Sequence, residues 1–242
     1  MSFSDIHIHI LYGTDDGPKT REEMFKMTDV AYKNGIRLIC ATPHFCPAFF
    51  GDNREASEKA FSDLEEYCKE NYPDLQLFFG NELYYMRESI SWLKNGICRT
   101  ANGTRYVLVE FEVNTSEDVI AEGIDRLLNA GYIPIIAHAE RYKRLSLGRL
   151  WAIRQNGVLV QVNAQSFNKE LLTLGVRKRL KAMLDENFVD FVSSDAHGIV
   201  HRLPKIDNAY EYLVKKYDEN YAKKLCCNNA KWLFYNKSAE EK

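Results

Sequence analysis

The chain has 242 residues, 45% hydrophobic and 27% charged, enough for one large globular core and within the range of single-domain α/β barrels. Its formal charge of -2 supplies no chain-wide positive field, which argues against a nucleic-acid partner, and no apolar run approaches the roughly 20 residues of a membrane span. The first residues reach Asp5 and His7 without the basic start, apolar stretch and cleavage site of a signal peptide, and the six cysteines contain no CxxC pair, so the expectation is a cytoplasmic protein with reduced, mostly core, thiols.

The first apolar run covers residues 3–8 and leads through His7 to His9. Two apart on a strand, these imidazoles share a face, inward if Ile6, Ile8 and Ile10 pack outward. Two inward histidines need either a metal or a satisfied hydrogen-bonded pairing, with Asp5 an acceptor behind them or a strand-edge residue. The loop Gly13-Thr14-Asp15-Asp16-Gly17-Pro18 has ordinary turn composition. Its place between HxH and a helix over 21–34, where Thr20 and Glu23 suit a capping box, makes it a source of one carboxylate ligand.

A strand over 36–41 leads to Thr42-Pro43-His44, and a helix over 56–71 follows. Strands over 75–81 and 105–111 bring Glu82 and Glu110 to their ends, acids that burial would force to pair or to bind a cation. A helix over 116–130, with acids in its first turn and Gly131 after it, precedes a strand over 132–137 and then His138-Ala139-Glu140-Arg141. Beyond a helix over 147–155, the strand over 158–163 ends in Gln161, Val162 and Asn163, polar groups suited to support ligands. A helix over 171–186 and a strand over 189–193 lead to Ser194-Asp195-Ala196-His197 and His201-Arg202. Residues 204–236 read as helical throughout.

Strands alternating with helices imply parallel pairing with right-handed crossovers, and seven units point to a closed or nearly closed barrel, with a doubly wound sheet as the alternative. Six of seven strand ends then carry a potential ligand at the C-terminal rim, where α/β barrels gather their catalytic groups. Five of the six histidines stand within a few residues of an acid or an arginine, His44 alone being farther off, and histidine with carboxylate is the ligand set that first-row divalent metals prefer. Arg141 and Arg202 are either ordinary surface residues or a rim pair whose guanidinium forks suit phosphate. His201 supports the ligands, faces substrate, or is simply solvated.

The islands DIHIH, GTDDGP, ATPHF, GNELYY, YVLVEF, IIAHAERY, QVN and SSDAH, in this order over about residues 3 to 202, resemble the PHP (polymerase and histidinol phosphatase) family. Within it they are similar to the manganese-dependent bacterial protein-tyrosine phosphatases of capsular and extracellular polysaccharide synthesis. The resemblance implies a distorted (β/α)7 TIM-like barrel as a single domain over 1–242, with 204–242 as a helical C-terminal extension. It also implies three divalent metal ions, manganese foremost, with iron and zinc tolerated by the same ligands.

On the matching positions one metal takes His7, His9, Glu82 and Asp195, a second Glu82, Glu110 and His138, and a third Asp16, His44 and His197. Arg141 and Arg202 match the phosphate-binding arginines, and His201 or a metal-bound water is the candidate proton donor if one is used. Ala139 stands where the family commonly has proline, which is expected to loosen the loop that aims Arg141 without removing a ligand. The implied reaction is hydrolysis of phosphotyrosine by water that the cations activate, on the tyrosine-phosphorylated tail of a polysaccharide-assembly kinase. Three divalent cations against four carboxylates leave about two positive charges, which favours a phosphate dianion.

No cysteine has an arginine six positions later, so thiolate chemistry is not expected. Two other readings share these motifs. One is a phosphatase of small monoesters such as histidinol phosphate, or a phosphodiesterase. The other is an inactive, metal-stabilised interaction module, against which the intactness of nine ligand positions argues.

Overall fold

In the computed structural model, which describes residues 1–168 and 174–235, each apolar run expected as a strand forms one, and all pairings are parallel. The chain runs β1 (Phe3–Ile8), α1 (Arg21–Lys33), β2 (Ile36–Ala41), β3 (His44–Phe45), α2 (Pro47–Phe50), α3 (Arg54–Asn71), β4 (Gln76–Phe79), β5 (Glu82–Tyr84) and α4 (Ser89–Lys94). It continues with β6 (Tyr106–Glu110), α5 (Glu117–Asn129), β7 (Ile133–Ile136), α6 (Leu147–Arg154), β8 (Leu159–Asn163), α7 (Leu174–Asp185) and β9 (Phe191–Ser193). Positions 171–173 of the expected helix over 171–186 lie outside the described residues.

Nine strands occupy seven places. One sheet has the order β1-β2-β4 and the other β3-β5-β6-β7-β8-β9. The break between β2 and β3 falls at Thr42-Pro43, where proline has no N–H to donate, and the break between β4 and β5 falls at Gly80-Asn81. Backbone bonds from Gly80 N–H to the Ala41 carbonyl (2.9 Å) and from Glu82 N–H to the Pro43 carbonyl (3.1 Å) carry the pairing across both breaks. The ring closes where Asp195 N–H donates to the His7 carbonyl and His9 N–H to the Ala196 carbonyl, each at 2.9 Å. The result is a distorted seven-place parallel barrel, not the doubly wound alternative.

Two apolar layers hold it. Ile8, Ile10, Val107, Val109 and Ile136 pack outward against helix residues such as Met24, Met27, Leu64 and Ile124. Ile6, Leu38, Leu108, Ile135 and Phe191 form a separate cluster with Leu233 and Phe234 of α10 (Asn229–Tyr235), which follows α8 (Asp207–Lys216), α9 (Glu219–Lys223) and a π-helical turn at Lys224–Asn228. The expected helical region after residue 204 is therefore present as far as Tyr235. Phe234 stacks on Phe78 with centroids 4.2 Å apart, so α10 packs on this second layer.

Ile6 corrects one expectation, since it does not pack outward with Ile8 and Ile10. The pairing of β1 with β2 slips between Asp5 and Ile8, and one irregular step reverses which side chains face each side. The capping box on α1 forms as expected, with the Thr20 hydroxyl accepting from Glu23 N–H and the Glu23 carboxylate reaching back.

Tyr142, fully buried, ties the end of β6 to the turn after β7 by accepting the Phe111 N–H at its hydroxyl (2.9 Å). Tyr142→Phe leaves that buried amide without a partner and should cost about 1–3 kcal/mol of stability. The expected readout is a lower urea midpoint at unchanged m-value; an unmoved midpoint would mean that another acceptor serves Phe111.

Candidate metal centre

The breaks in the strands place the ligand-type residues. β3 opens on His44 and β5 on Glu82, and these two are paired in register, as are Tyr84 and Glu110 on the next strand pair. His7 and His9 come from β1, His138 follows β7, and Asp195 and His197 follow β9. Among the described residues, three of the five non-glycine positions with positive φ lie here: His138 (34°), Asp195 (52°) and Arg202 (52°). Left-handed backbone costs an L-residue roughly 1–2 kcal/mol, so the surrounding contacts hold these groups against local preference.

All nine expected ligand residues converge. His7 Nε2 and His9 Nε2 are 3.2 Å apart; Glu82 Oε2 is 3.0 and 3.1 Å from them, and Asp195 Oδ1 is 3.4 and 3.6 Å away. A cation about 2.1 Å from each donor requires ligand atoms about 3.0 Å apart in octahedral and about 3.4 Å in tetrahedral arrangement, so these four already stand at the needed separations. His138 Nε2 lies 3.0 Å from Glu82 Oε1 and 3.4 Å from Glu110 Oε2. His197 Nε2 lies 3.1 Å from Asp16 Oδ1.

His44 stands with Asp16 and His197 as expected, their donor atoms and those of His9 lying within 4.8 Å of one another, but it also faces a second group. Its Nε2 is 3.7 Å from Asp16, but its Nδ1 is 3.2 Å from Glu82 Oε2 and 3.0 Å from Glu110 Oε1. His44 therefore stands between the Asp16 group and the Glu82–Glu110 group. Glu82 Oε2 and His44 Nδ1 are buried and make no hydrogen bond despite this crowding, which leaves them directed at space that a cation would fill. The donor set and its spacing fit first-row divalent metals.

A supporting layer fixes these rings. Asp15 Oδ2 is 2.7 Å from His9 Nδ1 and accepts the His44 N–H at 2.8 Å, while its other oxygen accepts the Gly17 N–H at 2.9 Å. With Nδ1 so engaged, His9 presents Nε2 to the cluster, the usual role of a carboxylate behind a metal-ligating histidine. Gly17 is required because a Cβ there would sit 2.4 Å from the His9 carbonyl oxygen. Gln161 Oε1 receives His7 Nδ1 (3.0 Å) and the His138 N–H (2.7 Å), and its amide donates to Asn163, whose own amide donates to Asp195 Oδ2 (2.5 Å). Glu140 in turn accepts from Asn163 N–H and from the Ser166 hydroxyl.

Burial alone would protonate these acids, yet the neighbouring positive groups prevail. Burial opposes ionisation of Glu82, but His7, His44 and His138 hold its carboxyl well below the usual range. Burial is likewise outweighed at Asp195 by His7 and Arg202, and at Asp16 by His197, so both stay below the ordinary aspartate range. Burial lowers the affinity of His138 for a proton, but Glu110 and Glu82 prevail and push it up to about 9. Asp5, without such neighbours in equal measure, is pushed by burial up to about 6.

The second hydrogen-bonding edge of Asp195 faces the arginines. Arg141 Nη2 and Arg202 Nη2 both reach Asp195 Oδ2, at 3.1 and 2.6 Å. These guanidiniums are about one-third exposed, Asp16 is half exposed, and His7, His9, Glu82 and His138 are buried, so the cluster opens on the arginine and Asp16 side. His201 is exposed, and among the described residues its ring makes no hydrogen bond or ion pair. All six cysteines are buried and free, and burial pushes the Cys40 and Cys98 thiols far up. Asp15 and Glu140 are the supporting residues that motif reading left out. The double acid of GTDDGP carries a signal for Asp15, whereas Glu140 has none apart from its neighbours.

Among the described residues no helix is long and apolar enough to cross a membrane. The model of the family "Capsular polysaccharide synthesis, CpsB/CapC" matches residues 3–235. The tyrosine-protein phosphatase CpsB of Streptococcus agalactiae serotype V is 33% identical over 238 residues, 96% of this chain and 98% of that protein. Its namesake from Streptococcus pneumoniae is 34% identical over 232 residues, 93% of this chain and 95% of the relative. A chain from the crystal structures of YwqE from Bacillus subtilis and CpsB from Streptococcus pneumoniae, metal-dependent tyrosine phosphatases, superimposes with a TM-score of 0.87 at 28% identity, covering 98% of this chain and 95% of that one. The protein belongs to the CpsB/CapC family of capsular polysaccharide synthesis.

Proposed function

We propose that this protein is a metal-dependent protein-tyrosine phosphatase that hydrolyses phosphotyrosine on a protein of capsular polysaccharide synthesis, the tyrosine-phosphorylated tail of an assembly kinase in the cytoplasm. The observation that carries this reading is the convergence of nine imidazole and carboxylate residues beside two arginines that meet on one carboxylate oxygen. His7, His9, Glu82 and Asp195 would hold one cation, Glu82, Glu110 and His138 a second, and Asp16, His44 and His197 a third, manganese foremost. When bound, the cations supply the Lewis acidity that makes water a nucleophile near neutral pH and offset the charge of the phosphate.

The chain's own groups do the rest. Arg141 and Arg202, on the open side, bind non-bridging phosphate oxygens and stabilise the charge that grows on them during in-line displacement. Asp15 and Gln161 keep His9 and His7 oriented. The tyrosyl leaving group has a pKa of about 10 and departs with little help, His201 on the rim loop being the donor where one is used.

Two experiments test this reading. Added manganese at a hundredfold excess over its dissociation constant should raise the unfolding free energy by about 2.7 kcal/mol per site, a gain that chelation reverses and that Asp195→Asn diminishes by the share of the site it completes. A wild-type chain whose melting temperature ignores manganese, iron and zinc alike would sink the metal assignment. In turnover assays with manganese, a phosphotyrosine peptide should be favoured over histidinol phosphate and a phosphodiester. Arg141→Ala should lower kcat about 100-fold, Asp195→Asn and His138→Ala should abolish turnover, and replacing any cysteine should leave it intact. Equal rates on all three substrates would remove the tyrosine assignment, and a dead but folded cysteine variant would remove the mechanism.

A further inference from the structure

The polar cluster accounts for a phosphate and leaves the organic half of the substrate without a partner. One wall beside the opening is aromatic. α2 follows His44 and Phe45 almost directly, and it presents Phe50 with its ring parallel to the His44 imidazole, 5.3 Å between centroids and 7° between planes. Phe49, next to it, leaves 70% of its surface in water and meets the Tyr84 ring edge-on at 5.6 Å and 87°. Tyr84 lies two residues beyond Glu82 on β5 and pairs in register with Glu110, so the wall adjoins His44 and Glu110. Arg141 and Arg202 gather at Asp195 instead, so phosphate oxygens and aromatic rings have different places to go.

Phe50 has a structural role in holding the His44 ring. Phe49 has none of that kind: it is among the most exposed large apolar side chains, at the edge of a cluster built for charge. Phe49 and Tyr84 already meet edge-on at a separation aromatic pairs favour, about 4.5–7 Å, and the exposed surface of Phe49 leaves room for a further aryl group to pack on it.

We infer that Phe49, Phe50 and Tyr84 form the subsite for the aromatic ring of phosphotyrosine, so that preference for aryl over alkyl phosphates resides in this wall while the polar cluster recognises the phosphate alone. The inference rests on the phosphatase reading and names the group that makes it selective for tyrosine. Phe49 leads the test because its exposure makes it dispensable for folding.

With the manganese-loaded protein, Phe49→Ala should lower kcat/KM for a phosphotyrosine peptide about fivefold to tenfold, mainly through KM, as loss of one aromatic contact predicts. Inhibition by inorganic phosphate should change less than twofold, and turnover of a phosphoserine peptide should not change. Tyr84→Leu should act in the same direction. An unaltered ratio of phosphotyrosine to phosphoserine turnover in Phe49→Ala, at wild-type melting temperature, would overturn the subsite.

Calorimetry separates this inference from the activity on which it rests. Wild type should bind phenylphosphonate more tightly than methylphosphonate, and Phe49→Ala should lose the difference. Equal affinities in the wild type would overturn the subsite whether or not the protein turns over any phosphotyrosine. A preserved difference in binding with no turnover would instead overturn the phosphatase reading and leave the subsite standing.

Discussion

Glu82 is a fully buried carboxylate kept ionised by the imidazoles around it, and much of the upper barrel is arranged to keep it there. An isolated carboxylate in such a place would take up a proton, because its desolvation is not recovered. Here His7, His9, His44 and His138 each bring a ring nitrogen within 3.0–3.2 Å of one of its oxygens. That demand explains the interrupted strands. Had the second and third strand places run on without a break, their side chains would have kept alternating from one fixed register. The restarts at His44 and Glu82 set those two residues opposite each other at the rim.

Asp195 ties this interior charge to the surface. One of its oxygens stands beside His7 and His9, and the other receives Arg141, Arg202 and the Asn163 amide. From Asn163 the connection continues through Gln161 to His7 and His138, and through Glu140 to Ser166. The turn that carries Arg141 belongs to the same network. Ala139, which occupies the position where the resembling family commonly has proline, is buried, and its carbonyl accepts from Arg179 Nε on α7 at 3.3 Å. The turn is thus tied from outside the barrel as well as through Glu140.

The fold was legible in the sequence where it depends on local pattern: the seven runs of branched and aromatic residues, the Thr20 cap and the helical tail all appear close to their expected limits. The convergence of these side chains was legible because histidines and acids at strand ends have few inexpensive uses. What escaped depends on register and rotamer. The slip in β1 that turns Ile6 inward leaves no mark in the alternation, since Asp5, His7 and His9 keep their spacing. Of the two adjacent acids in GTDDGP, the family resemblance singles out Asp16, whereas only the folded loop shows that Asp15 holds His9 and His44. His44 likewise engages two groups because its two nitrogens point opposite ways, which no spacing encodes.

The burial gradient gives the cluster a direction. The residues nearest Glu82 are sealed, whereas Asp16, Arg141 and Arg202 remain partly in water, so the cluster meets solvent on their side. Both guanidiniums are anchored on an oxygen of Asp195 that is not the one facing His7 and His9. Movement of either guanidinium would therefore leave the Asp195 oxygen beside His7 and His9 in place. Asp195 thus does two things with its two oxygens: one stands beside the imidazoles in the interior, and the other anchors both arginines on the open side. Its backbone is held in the left-handed region, φ 52°, a conformation that costs an L-residue energy.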